Sequence, residues 1–330
     1  DQIAVRVGTV PISLKEIYRP SVLSLQNISK TFGGAHALRK VALSVKPGTV
    51  HGLLGKNGSG KSTLVKILAG FHEPDAGGEL RFNGEEVELP LQPGDFRRIG
   101  MSFVHQRLGL VPSLTVLENL RFASLSSSRG WKIDWREEEK RTVEALERFR
   151  LPLRPGQRVD SLTSVERALL AIVRAFEEIR SDDEVDGRPG LLVLDEPTPF
   201  LPGEGVVQLF DLIRSITKRG SSVMFISHSI DEVMQITDKI TVLRDGVVAG
   251  ELATADATHD EVVEMIVGRS IARAPRVEKA KSGPSSVFAR LSNVTGKMLK
   301  TTSIDLRRGE ILGLTGLIGS GYEEIPYLIF

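Results

Sequence analysis

Short apolar runs alternate with stretches of helical spacing along most of this chain, most clearly in its second half. Leu191-Leu192-Val193-Leu194, Ser222-Val223-Met224-Phe225-Ile226 and Ile240-Thr241-Val242-Leu243 read as buried strands, separated by helical patterns around 203–218, 229–236 and 258–267. Such interleaving predicts a parallel sheet in an α/β fold. Nearer the start, Val22-Leu23-Ser24-Leu25 and Val41-Ala42-Leu43-Ser44-Val45 alternate as strands, and Pro47-Gly48 turns into a buried strand over 49–54. A hairpin is expected at 79–84, and a strand over 100–106 that ends on polar residues. From about 107 to 180 the period becomes helical, with amphipathic helices at 135–149 and 164–179. The acidic stretch 177–190 reads as a solvated surface loop, and 269–286, rich in Arg, Lys, Ala, Ser, Gly and Pro, as a linker. Residues 1–20 form an extension without readable chemistry.

Beyond the linker the pattern repeats. Residues 309–323 lie over 48–62 without a gap, and Leu291-Ser292-Asn293-Val294 mirrors Leu25-Gln26-Asn27-Ile28. The expectation is one domain over 21–268 and the start of a second copy over 287–330, with Phe330 inside what would be its first helix. The chain then reads as the N-terminal part of a two-copy protein.

Composition narrows the function classes. The 330 residues carry Lys+Arg 43 against Asp+Glu 42, a net charge of +1, so no bulk field points to nucleic acid as a partner. No apolar run approaches the roughly 20 residues that span a bilayer, and the N-terminus lacks a signal-peptide pattern, so a membrane role is expected to be peripheral. The absence of cysteine excludes disulfides, thiolate metal sites and cysteine nucleophiles.

Gly55-Lys56-Asn57-Gly58-Ser59-Gly60-Lys61-Ser62 matches the phosphate-binding P-loop between a predicted strand and a predicted helix. Glycines let successive backbone N–H groups and the helix N-terminus wrap a polyphosphate. Lys61 is then placed to neutralise the β/γ-phosphates, and the Ser62 hydroxyl, followed by Thr63, to ligate Mg²⁺. A second signal is the apolar strand that delivers Asp195-Glu196 to the same end of the sheet. Asp195 is a candidate Mg²⁺ ligand and Glu196 a candidate general base for the attacking water.

With Phe32 ahead of the P-loop, Gln106 after a strand, Leu162-Thr163-Ser164-Val165-Glu166 opening a helix, then Asp195-Glu196 and Ile226-Ser227-His228, the order of motifs resembles the ATP-binding cassette (ABC) ATPases. The resemblance covers about residues 22–330. It implies a P-loop NTPase cassette: a mixed-sheet core, an antiparallel β subdomain and an α-helical subdomain at about 107–180, followed by the start of a second cassette. It further implies that Phe32 stacks on adenine, that Gln106 reaches Mg²⁺ and the attacking water, and that His228 contacts the γ-phosphate and orients that water. A bland alternative stands beside each: Phe32 as a core aromatic, Gln106 as a strand-end polar group, His228 as a helix N-terminal residue.

The segment from His105 to Asn119 is similar to the ATPase subunits of two-cassette monosaccharide importers of the ribose, galactose and arabinose type, which carry a degenerate second P-loop. This implies ATP and Mg²⁺ as cofactors, transport-coupled ATP hydrolysis and a peripheral place on the cytoplasmic face of the inner membrane. The implied partners are transmembrane permease subunits, a sugar-binding protein, and the second cassette of the same chain or a homodimer. A nucleoside importer of the same layout, a soluble twin-cassette ATPase acting on ribosomes or DNA, and a non-hydrolysing ATP-binding regulator are the alternatives.

Three departures matter. The family's signature loop, Leu-Ser-Gly-Gly-Gln or near it, here has both glycine positions filled by Ser164 and Val165. In the second copy Tyr322 and Glu323 stand where Lys61 and Ser62 stand, which predicts poor nucleotide binding. After Glu196, Pro199-Phe200-Leu201-Pro202 replaces the usual small residues of the cross-dimer loop. Because the family pairs each P-loop with the signature of the opposite cassette, the resemblance implies one hydrolytic site and one silent site.

Overall fold

A computed structural model describes residues 20–127, 133–183, 188–199, 201–268, 286–317 and 319–329. The extension at 1–20 and the linker at 269–286 lie outside the described residues except for Pro20 and Ser286. The chain divides into two units, 1–270 and 271–330.

The first unit runs β1 (Leu23–Phe32), β2 (Ala35–Val45), β3 (Val50–Leu54), α1 (Lys61–Leu68), β4 (Glu79–Phe82), β5 (Glu85–Val87), α2 (Asp95–Arg98), β6 (Met101–Val104), α3 (Val116–Ser127), α4 (Trp135–Arg148) and α5 (Ser164–Asp183). It continues with β7 (Leu191–Asp195), α6 (Gly203–Lys218), β8 (Ser222–Ile226), α7 (Ile230–Ile236), β9 (Lys239–Arg244), β10 (Val247–Ala253) and α8 (His259–Val267). Six strands form a sheet in the order β10-β9-β3-β8-β7-β6; β10 is antiparallel to β9 and every other pairing is parallel. The sheet is therefore mixed rather than purely parallel. Strands β2-β1-β4-β5 form a separate antiparallel sheet.

The central strands are apolar throughout because both faces are covered. Leu192 and Leu194 of β7, with Val223 and Phe225 of β8, join a core shared with α5 and α6. Their neighbours Leu191, Val193, Met224 and Ile226 face the opposite core, shared with α1 and the antiparallel sheet. The two-residue period of a strand makes this division, and each such side chain contributes about 1.5–3 kcal/mol through burial.

Helix α5 is buried along most of its length because β6 and β7 lie on one side and α3 and α4 on the other. Phe176 of α5 meets Phe149 edge to face at 5.2 Å. The acidic stretch expected to be a loop from 177 is instead helical to Asp183; residues 184–187 lie outside the described residues. Cations lie within reach of its first two carboxylates. Glu177 pairs with Arg148 at 2.6 Å, while Glu178 accepts from Ser102 at 3.3 Å and pairs with Arg97 at 3.6 Å and Arg174 at 3.8 Å.

In the second unit β11 (Val287–Val294) and β12 (Thr302–Arg307) form an antiparallel hairpin, and α9 (Ile325–Ile329) closes the described residues. The repeat predicts a counterpart of β3 at about 311–315, but this stretch forms no strand and Ile311 is exposed. Strand β3 is paired by β8 and β9, and the described residues of this unit supply no equivalent partners. The loop shape nevertheless repeats. Gly319 (φ 85°) and Gly321 (φ 80°) reproduce the left-handed turns of Gly58 (φ 80°) and Gly60 (φ 106°).

Candidate nucleotide-binding site

Strand β3 ends at Leu54 and α1 begins at Lys61, so residues 55–60 form the loop between them. Gly60 is required by its surroundings as well as by its left-handed φ. A Cβ there would lie 2.6 Å from Leu38 Cδ2 and 2.8 Å from the Ala37 carbonyl oxygen. Among the described residues the buried Ser59 hydroxyl has no hydrogen-bond partner, which leaves a polar atom for an anion to satisfy. Lys61 is buried, and its Nζ donates to Gly55 O at 2.6 Å and Lys56 O at 3.2 Å. Burial pushes its pKa down, and the carboxylates of Glu196 and Asp195 oppose that shift.

Strand β7 brings Asp195 to the same edge, opposite Ile226 of β8. Glu196 follows with φ 50°, an uncommon backbone state for a non-glycine residue, while its N–H donates to Ile226 O at 2.9 Å. The next turn of the chain after β8 places His228 Nδ1 3.4 Å from Glu196 Oε1. Glu232 anchors this corner, accepting from Thr198 at 2.8 Å and from Ser227 at 3.1 Å. Ser229 caps α7.

One cavity of about 370 Å³ gathers Asn57, Gly58, Ser59, Gly60, Lys61, Ser62, Thr63, Gln106, Asp195 and Glu196. Gly55, Lys56, Phe32 and His228 do not line it. Ala37, which the sequence reading did not single out, does. The Ser62 hydroxyl, Gln106 amide and Asp195 carboxylate form an oxygen donor set that fits Mg²⁺, which is held by one or two carboxylates together with substrate phosphates. Among the described residues no group of three or more His, Cys, Asp or Glu could hold a metal unaided.

Phe32 ends β1 and is 43% exposed, which removes the core-aromatic reading. His72 meets it edge to face at 5.2 Å, and Lys30 Nζ lies 5.1 Å from its ring centre. Asp75 fixes the strand end by accepting from Thr31 N at 3.2 Å and Thr31 Oγ1 at 2.8 Å, and these bonds hold its carboxyl below the usual range.

The signature segment closes on itself. Glu166 Oε2 accepts from Thr163 N at 2.8 Å and Thr163 Oγ1 at 2.9 Å, and Thr163 Oγ1 accepts from Glu166 N at 3.2 Å. This reciprocal cap sets a carboxylate at the N-terminus of α5, where an anion would otherwise be drawn. Val165 meanwhile crowds Gly205 of α6, where an added Cβ would lie 2.6 Å from Val165 Cγ2.

Two relationships escaped the sequence reading. Asp75 supports Phe32 through a contact spanning 44 residues, and Arg174 of α5 donates to backbone carbonyls just beyond Gln106. Arg174 alone has a sequence signal: a lone cation inside the apolar stretch 168–176.

Residues 38–199 match the sequence profile of the ABC transporter family. The chain is 37% identical over 323 residues to the ribose import ATP-binding protein RbsA 1 of Burkholderia cenocepacia, covering 97% of this chain and 60% of that protein. It is 37% identical over 310 residues to a putative ribose/galactose/methyl galactoside import ATP-binding protein of Ralstonia nicotianae, covering 94% and 57%. The chain thus spans about 60% of the length of such curated relatives. Among solved structures, the ADP conformation of MJ1267, an ATP-binding cassette of an ABC transporter, superposes with TM-score 0.61 at 26% identity, covering 76% of this chain and 99% of that one. CbiO1 of Clostridium perfringens shares the fold with TM-score 0.62 at 24% identity, covering 78% of this chain and 97% of that one.

Proposed function

We propose that the chain is a cassette of the ABC transporter family, whose profile residues 38–199 match, and that it binds and hydrolyses ATP to energise import of a monosaccharide. The observation that carries the reading is the convergence of Lys61, Ser62, Gln106, Asp195 and Glu196 on one cavity. Backbone N–H groups of the P-loop and Lys61 bind the phosphates, Lys61 exchanging its two carbonyl acceptors for phosphate oxygens. Ser62, Gln106 and Asp195 hold Mg²⁺, which supplies charge neutralisation at the phosphates when bound. Glu196 takes a proton from the attacking water, and His228, beside it, orients that water. Phe32 offers its exposed face to adenine.

The names of the relatives support the sugar-import assignment, and permease subunits and a sugar-binding protein are the partners it requires. The proposed place is peripheral, at the cytoplasmic face of the inner membrane; no helix among the described residues is long and apolar enough to cross a membrane. Residues 21–268 are the proposed catalytic cassette, with the helices at about 107–180 facing the permease. The second P-loop keeps its turn without the cation, and the signature of the first cassette is capped by Glu166, so the chain carries one competent P-loop. The test is Glu196→Gln in the complete protein: ATP binding persists and hydrolysis and sugar uptake are lost. Unchanged hydrolysis would overturn the assignment.

A further inference from the structure

Gln106 lies on a loop that has no regular structure of its own after β6. Immediately beyond it the backbone makes a tight turn: Leu108 N donates to His105 O at 2.8 Å, and two successive residues, Leu108 (φ 49°) and Gly109 (φ 62°), are left-handed. The second can be glycine's choice, but the first is a branched residue in an unfavourable state that something else must hold. The carbonyls of these two residues are held by Arg174. Its Nη1 donates to Gly109 O at 2.7 Å and its Nη2 to Leu108 O at 3.0 Å.

Arg174 is an unexpected residue for its place. Ala168 to Val173, Ala175 and Phe176 around it on α5 are all buried, and its own side chain is only 17% exposed. Among the described residues its Nε finds no hydrogen-bond acceptor, and Glu178 approaches it at 3.8 Å. Burying a guanidinium costs solvation that an apolar side chain would not lose. What the position gains is a planar fork with two donors aimed at adjacent carbonyls, a geometry only arginine supplies. Glu178, one turn further along α5, accepts from Ser102 on β6. The same helix therefore grips both the strand that leads into Gln106 and the turn that leaves it.

We propose that Arg174 is the positioning residue for Gln106, fixing from α5 the turn that presents the Gln106 amide to the nucleotide cavity. The role of Gln106 at Mg²⁺ rests on the function proposed above, whereas the grip on the turn does not. Because α5 begins at the signature segment, one helix then sets both that segment and the Gln106 loop.

The test compares the complete protein with Arg174→Met and Arg174→Lys. In Arg174→Met, amide hydrogen exchange across 106–112 rises by about tenfold or more as two charge-assisted bonds are lost. The kcat for ATP falls by a similar factor, the Mg²⁺ concentration for half-maximal activity rises, and nucleotide affinity measured without Mg²⁺ stays at the parent value. Arg174→Lys recovers part of each change. Should Arg174→Met fold poorly, Gly109→Ala provides the second variant. Its Cβ would lie 3.2 Å from Arg174 Nη2 at a left-handed φ, and it is expected to reproduce the same losses. Parent-like exchange in a folded Arg174→Met overturns the proposal. So does raised exchange with an unchanged Mg²⁺ requirement, which would leave Arg174 a purely structural tie. A parent protein that binds ATP but never hydrolyses it overturns the proposed function instead, and exchange still decides the grip.

Discussion

His228 Nδ1 lies 3.4 Å from Glu196 Oε1, across the gap between the ends of β7 and β8. The distance is at the long end of hydrogen bonding, as catalytic pairs often are before substrate draws them in. His228→Ala is expected to lower kcat for ATP on the order of a hundredfold and to leave nucleotide affinity unchanged. Steady-state kinetics beside an equilibrium nucleotide titration separates the two effects, and equal losses in both would deny His228 its role.

Phe32 should act on binding alone. Stacking on a base is worth about 1–3 kcal/mol, so Phe32→Ala is expected to weaken ATP affinity by roughly tenfold at constant kcat. Thr31→Val, which removes the hydroxyl donor to Asp75, is expected to give a smaller shift of the same kind. A fluorescent-nucleotide titration reads both.

The P-loop glycines are not equivalent. A Cβ at Gly58 meets nothing within 4 Å, whereas one at Gly60 meets Leu38 and the Ala37 carbonyl. Gly58→Ala should cost about 1–2 kcal/mol through its left-handed φ alone. Gly60→Ala should cost more, because the β2 backbone must move, and it should abolish nucleotide binding. Urea unfolding and nucleotide titration of the pair measure the contrast.

Stability should fall on mild acidification because of His51. Burial, followed by the charge of Lys239 and partly offset by Glu251, lowers its pKa from 6.5 to about 4. Thr241 Oγ1 donates to Glu251 at 3.0 Å, so it accepts from His51 Nε2–H at 2.8 Å; the lowered pKa leaves the imidazole neutral at pH 7. Between the two pKa values the unfolded chain binds more protons. The stabilisation is fully present above pH 6.5 and is lost as pH falls towards 4, amounting to about 3 kcal/mol. Urea unfolding at pH 7 and pH 4.5 should show a smaller difference for His51→Gln than for the parent. Equal differences would sink the assignment.

The five parallel strands of the first unit's central sheet were legible because parallel strands covered on both faces are apolar without interruption and their connecting helices keep a clean period, whereas β10, antiparallel at the sheet edge and only half-buried, was not. The length of β1 and β2 was not. Their outer halves carry Lys30, Thr31 and His36, polar residues that ladder hydrogen bonds hold in place of burial. The helical state of the start of the acidic stretch was hidden because Glu177 and Glu178 look solvated until Arg148, Arg97 and Arg174 are placed beside them. The strand expected near 311 failed for the opposite reason: its local pattern is sound, and only partners could make it a strand. At the site, the P-loop, Gln106, Asp195 and Glu196 were readable because each is tied to a strand end. Asp75 and Arg174 act through contacts 44 and 66 residues away along the chain, a range at which sequence spacing says nothing.

Helix α5 also has a mechanical meaning. Ten residues separate Ser164 from Arg174, about 15 Å of helix, so a tilt of about 10° pivoting at the signature end carries the guanidinium some 2.6 Å. That displacement is close to the length of the bonds by which Arg174 holds Leu108 and Gly109. Such a tilt would part Arg174 from both carbonyls together, because one guanidinium holds the two.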